Sequence, residues 1–295
     1  MERMRLLAVA GLVIGVCGGC RRKAPAMPAV WSAETAAIVG GLGAPECALY
    51  DEAADRVLVS NIETDTKGYW ESDRKGFVTM MNRDGVIVKK RWLDSSDETP
   101  LDAPKGMGIL GGYLYAADID SLKRCRIEMP AVIETVELPE AEKLNDIACD
   151  GKAIWVSDIQ LSKVYRVDSE GKVTEIPAPE NVNGVACHDG KVFAVSWYHH
   201  DIYELDPAGA EKPVAFGLAG HFTNLDGIEI LDDGTFVVSD FTGGKVCTVG
   251  ADRKTVRTLV ELETPADIGL DRKRGLLYVP QLTIDKLVIL KLTQQ

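Results

Sequence analysis

A short phrase recurs six times along the chain, and its spacing leaves few folds open. Each copy is one polar or small site residue, then one small or acidic residue, then mostly apolar residues. The copies read Glu46-Cys-Ala-Leu-Tyr, Lys105-Gly-Met-Gly-Ile, Asn145-Asp-Ile-Ala-Cys, Asn183-Gly-Val-Ala-Cys, Asp226-Gly-Ile-Glu-Ile and Ala266-Asp-Ile-Gly-Leu. Their separations are 59, 40, 38, 43 and 40 residues, a mean of about 44 that falls among the repeat lengths of propeller blades.

The segment after each phrase repeats as well. A turn rich in Gly and Asp leads into a β-rich run such as Ile154-Trp-Val or Phe236-Val-Val, and two runs joined by such a turn read as a hairpin. A third strand comes next in most repeats, as at Lys163-Val-Tyr-Arg-Val and Lys245-Val-Cys-Thr-Val. One blade cannot bury both its faces, so six must stack around an axis as an all-β, six-bladed β-propeller. The last repeat, from Ala266 to Leu292, has room for three strands only. Residues 29–40 are therefore expected to supply the outer strand of the sixth blade and close the ring.

The hairpin places the polar residues. If the phrase opens the first strand at one mouth of the channel, the antiparallel second strand ends at that mouth. This predicts an inner ring of Glu46, Lys105, Asn145, Asn183, Asp226 and Ala266, surrounded by Asn61, Asp118, Asp158, Trp197, Asp240 and Gln281. A structural role is expected for the second ring, because an Asp at a strand end commonly accepts backbone amides of the next turn.

The N-terminus stands apart from the repeats. Met1-Glu-Arg-Met-Arg is basic, Leu6 to Val16 is apolar, and Gly18-Gly19-Cys20 comes next, an order that resembles a bacterial lipoprotein signal. The apolar stretch is too short to span a bilayer. The expectation is a signal peptide at 1–19, lipidation of Cys20, a tether at 20–28 and the propeller at 29–295. The protein would then sit at the bacterial cell envelope, on the periplasmic face or outer membrane, held by its lipid anchor alone. Cys17 stands where such signals usually carry Leu, so an ordinary secretory signal cut near residue 24 or 26 stays open.

The formal charge of −12 argues against nucleic acid as a partner; a small-molecule ligand or substrate is the expected one, with a protein partner kept open. Five cysteines lie beyond the N-terminal segment. Cys125 and Cys247 fall on third strands of opposite blades, and Cys149 and Cys187 on inner strands of adjacent ones, so buried free thiols are expected, with Cys149–Cys187 the one thinkable bridge.

The order Glu46, Asn145, Asn183, Asp226, with the second blade skipped, resembles the metal ring of the senescence-marker-protein, gluconolactonase and luciferin-regenerating-enzyme family, and more distantly the paraoxonases. The resemblance implies a divalent cation, commonly calcium, held by these four residues, and hydrolysis of sugar lactones or related esters. A hard divalent ion favours carboxylate and amide oxygens. Asp226, the shortest carboxylate of the ring, is the candidate base, and Lys143 falls where relatives carry an arginine that contacts substrate.

Lys105 departs from the pattern. Its ammonium could take the place of the cation, orient an anionic substrate or polarise a carbonyl. His199, in Trp197-Tyr-His-His-Asp, lies where paraoxonase-like enzymes use histidine as a proton carrier, and it is read as facing substrate. His200 and His221 are further mouth candidates, and Glu229 a candidate extra oxygen ligand. No phosphate loop, zinc spacing or Gly-x-Ser-x-Gly elbow occurs. Two functions remain: an exported, metal-dependent lactone or ester hydrolase, and a non-catalytic propeller binding a small ligand or protein at the same mouth.

Overall fold

The computed structural model describes residues 29–64 and 68–295; the expected signal, tether and Cys20 lie outside them. Six four-stranded antiparallel sheets form the blades of a propeller. The inner strands are Pro45–Asp51, Pro104–Leu110, Leu144–Cys149, Val182–His188, Leu225–Ile230 and Gly269–Asp271. In the sixth blade the outer strand is Trp31–Val39, paired antiparallel with Lys286–Gln294 from Trp31 opposite Gln294 to Val39 opposite Leu287. The two ends of the folded chain thus share one sheet, as the missing fourth strand of the last repeat required.

Each blade packs both faces against neighbours, which is why the second strands read as nearly unbroken apolar runs. Leu58 and Val78 of the first blade meet Met107 and Leu114 of the second in one buried cluster. Phe193 and Phe236 meet edge to face between the fourth and fifth, with ring centroids 5.0 Å apart. Each fully buried side chain of this size contributes about 1.5–3 kcal/mol. The buried Tyr165 satisfies its hydroxyl by donating to the carbonyl of Pro139 at 2.6 Å.

One irregularity is repeated and shapes the mouth. In the first five blades the pairing of inner and second strands slips at the phrase: between Pro45 and Ala48, Pro104 and Met107, Leu144 and Ile147, Val182 and Val185, and Leu225 and Ile228. Such a bulge leaves amides unpaired and re-aims side chains. Serines of the second strands take up those amides: Ser60 accepts from Cys47 at 2.9 Å, Ser157 from Asp146 at 2.9 Å and Ser239 from Gly227 at 2.7 Å.

The bulges bring neighbouring inner strands close together, which accounts for the small second residue of the phrase. A Cβ on Gly184 would stand 2.3 Å from the carbonyl oxygen of Asp226, and one on Gly106 would stand 2.4 Å from the Cα of Asp146.

The long first interval has its own cause. Residues 62–76 connect the second and third strands of the first blade at the mouth where the phrases begin. Within this segment Tyr69 packs against the cluster of Ala44, Ile62, Ala103, Ala266 and Leu282, beside the sixth position of the ring.

Candidate functional site

The bulges set Glu46, Lys105, Asn145, Asn183 and Asp226 at one mouth, all buried, with Ala266 completing the sixth position. Four of them share a property that stands out against the well-paired interior. Glu46 Oε2, Asn145 Oδ1, Asn183 Oδ1 and Asp226 Oδ1 are buried oxygens with no hydrogen-bond partner. Among the described residues the one other orphaned buried side-chain atom is His200 Nδ1. Buried polar atoms are nearly always paired, so four orphan oxygens at the corresponding position of four blades mark a place for a ligand. All are hard oxygen donors, two carboxylate and two amide, and they fit a divalent cation such as calcium. No cluster of three or more His, Cys, Asp or Glu that could hold a metal exists among the described residues, so a cation here would need both amides.

Electrostatics sharpen the point. Burial lifts the Glu46 carboxyl well above its ordinary range against the pull of Lys105, and lifts Asp226 to about 7 against the same lysine. Burial also lowers Lys105, opposed by Glu46 and Asp226. Charged groups without water or a close partner are costly, and a divalent cation among the carboxylates offsets that cost.

Lys105 does not close onto those carboxylates. At 2% exposure its Nζ lies 4.3 Å from the ring centroid of Trp70, and Lys143 Nζ lies 5.6 Å from the same centroid. Neither ammonium makes an ion pair or donates a hydrogen bond among the described residues. Trp70 was not legible as a site residue, although the 59-residue interval marks the insertion that carries it.

The second ring is structural, as expected. Asp118 accepts the amides of Asp102 and Ala103, at 2.7 Å for the latter. Asp158 accepts those of Glu142, Lys143, Gln160 and Leu161, and Asp240 those of Thr223, Asn224 and Gly243. Asn61 accepts from Gly43 at 2.9 Å, and Gln281 donates to the Glu263 carbonyl at 2.9 Å.

The remaining candidates differ in their surroundings. Glu229, considered as an extra ligand, faces the channel below the ring and pairs with Arg272 at 2.8 Å, because three residues along a strand carry it away from the mouth. His199 is exposed, 3.5 Å from Glu180 and edge-on to Tyr198. His221 is exposed in a 3-10 turn, Ala219–His221. All five cysteines of the described residues are free. Cys47, Cys125 and Cys247 are buried, whereas Cys149 and Cys187 are half-buried and line the channel, which corrects the expectation of full burial.

The phrase's second position hid one more feature. Asp146 and Asp267, on opposite blades, are both buried and interact below the ring. Burial raises Asp146 to about 6, and burial with the charge of Asp146 raises Asp267 well above its usual range. Beneath this pair the channel widens to a cavity of about 720 Å³ lined by Leu49, Ile109, Ala148, Cys187 and Glu229. The turn residues Glu52 and Lys273 at its edge place its opening at the mouth opposite the oxygen ring.

The fold is that of several solved propeller structures. A gluconolactonase from Xanthomonas campestris superposes with a TM-score of 0.70 at 15% identity, covering 92% of this chain and 96% of that one. Luciferin-regenerating enzyme superposes at 0.66 and 12% identity, covering 90% and 95%. Virginiamycin B lyase from Staphylococcus aureus superposes at 0.60 and 13% identity, covering 89% and 99%. No family model matches the sequence, and no curated protein matches it. The chain is therefore a gluconolactonase-like six-bladed propeller in fold.

Proposed function

We propose that this protein is a hydrolase of lactones or related esters, dependent on a divalent cation held by Glu46, Asn145, Asn183 and Asp226. The observation that carries the reading is the set of four buried, unpartnered oxygens; the shared fold with a gluconolactonase supports it. A bound cation supplies Lewis acidity toward a carbonyl and stabilises developing negative charge. Asp226, the ring's aspartate, would be kept ionised by the cation beside it and so able to accept a proton from attacking water. Lys105 and Lys143, which lie against the Trp70 ring, would face incoming substrate.

The test is a screen of aldonolactones and aryl esters with the protein loaded with calcium or treated with EDTA, alongside Asp226→Asn. The change keeps the shape and one oxygen but removes the base, so turnover should fall by about 10²-fold or more while ion binding is partly retained. Activity that survives the substitution removes Asp226 from the mechanism. A parent that binds calcium and hydrolyses nothing favours the ligand-binding propeller instead.

We propose further that residues 1–19 are a lipoprotein signal and that Cys20 is lipidated, on the basic, apolar, Gly-Gly-Cys order of the sequence. Mass spectrometry of the mature N-terminus tests this; an unmodified terminus at residue 24 or later rules it out.

A further inference from the structure

We propose that Lys105 and Lys143, gathered on the indole of Trp70, form an oxyanion-binding subsite beside the oxygen ring, so that the substrate is a lactone or ester carrying a second, anionic group such as a carboxylate. The substrate class rests on the hydrolase reading above; the subsite itself does not.

Lys105 carries the argument. A lysine this deeply buried ordinarily has a carboxylate partner, yet its ammonium lies over the Trp70 ring at 4.3 Å and closes no ion pair among the described residues. Lys143 approaches the same indole from the next blade. Its backbone amide is held at 3.3 Å by Asp158, which sets the start of its stem. The two ammonium groups stand 4.3 and 5.6 Å from the centre of one indole ring, and an oxyanion bound there would satisfy them with charge-assisted hydrogen bonds.

Charge balance points the same way. A divalent cation in the ring would neutralise Glu46 and Asp226, two of the three carboxylates that attract Lys105; the third, Asp118, is engaged by the amides of Asp102 and Ala103. With those two neutralised, neither ammonium has an ion-pair partner among the described residues, in a chain whose formal charge is −12. The indole supplies an apolar platform for the ring that bears the anion.

The experiment uses D-glucuronate as an anionic probe that is not a lactone, and D-glucose as its neutral counterpart, by calorimetry and tryptophan fluorescence on the calcium-loaded and EDTA-treated protein. Glucuronate should bind at least tenfold more tightly than glucose and weaken with added salt. Lys143→Met and Lys105→Met should each weaken it by about tenfold, Lys105→Arg should retain it, and Trp70→Phe should remove most of the fluorescence response. The dependence on lysine separates the subsite from direct coordination by calcium. Equal binding of the two probes, or binding indifferent to both Met substitutions in variants with native thermal transitions, overturns the proposal.

The two readings fail separately. Lysine-dependent glucuronate binding with no lactone or ester hydrolysed leaves the subsite and removes the hydrolase. Hydrolysis of neutral gluconolactone without a preference for the anionic probe leaves the hydrolase and removes the subsite.

Discussion

The backbone amide of Asp267 donates to the carbonyl of Glu46 at 2.9 Å, joining the sixth blade to the first at the level of the oxygen ring. Cys47 and Asp267 form a parallel bridge at the same place. The position of Glu46 relative to Asp226 therefore depends on the closure of the propeller as well as on its own blade.

The outer strand Trp31–Val39 is expected to matter to a site it does not touch. A chain beginning at Gly40 would expose the edge of Lys286–Gln294 and lose the burial of Val39 with the partial burial of Ala33 and Ala37. The expected loss is about 4 kcal/mol, or roughly 10 °C in Tm for a chain of this size. Thermal unfolding with light scattering should show a lower transition and association through the open edge. An unchanged transition would mean that the ring closes without this strand.

Gly184→Ala should be more damaging than a methyl group suggests. Its Cβ would stand 2.3 Å from the Asp226 carbonyl oxygen, and backbone on both sides leaves nothing soft to yield. A destabilisation of about 2–4 kcal/mol is expected, together with weaker calcium binding as Asp226 is pushed aside. Urea unfolding and calcium titration measure the two effects, and a variant as stable as the parent would show that the inner strands are less tightly apposed.

Asp158→Ala should unfold rather than inactivate. It strips an acceptor from four amides at 2.8–3.3 Å, with a cost of about 2–4 kcal/mol. Asp158→Asn should recover part of it, since one oxygen remains. If the alanine variant kept the parent's stability and lost only turnover, Asp158 would belong to the chemistry instead.

Glu229 provides a pH signature. Burial raises its carboxyl from the ordinary 4.5 to about 7, in spite of Arg272. Between those values the folded state keeps a proton that the unfolded chain has released, so this group's contribution to stability falls as pH rises from 4.5 to 7. Glu229→Gln carries no such cost. Its stability should match the parent near pH 4 and exceed it by about 1–3 kcal/mol at pH 8. Urea midpoints at the two values test this, and an equal difference at both would assign the effect to packing.

Much of the architecture was legible because a propeller writes each blade separately into the chain. The membership of the ring, the closure by residues 29–40 and the bonding role of Asp118, Asp158 and Asp240 all come from register within one hairpin. A residue without a counterpart in the other repeats, or with its partner across the axis, carries no such register. Trp70 sits in an insertion with no register to borrow. Glu229 was placed on the right strand, but its side chain continues with the strand down the channel to Arg272.

The sequence alone determined the period of the blades, the hairpin within each and the order of oxygen-bearing residues around the mouth, because these are set by contacts among residues close in the chain. Only the tertiary structure decided that four of those oxygens are left without partners, that Lys105 turns to Trp70 rather than to Glu46 or Asp226, and that Asp146 meets Asp267 across the channel. These depend on the width of the ring and the depth of burial, which arise when six blades pack against one another and exclude water together.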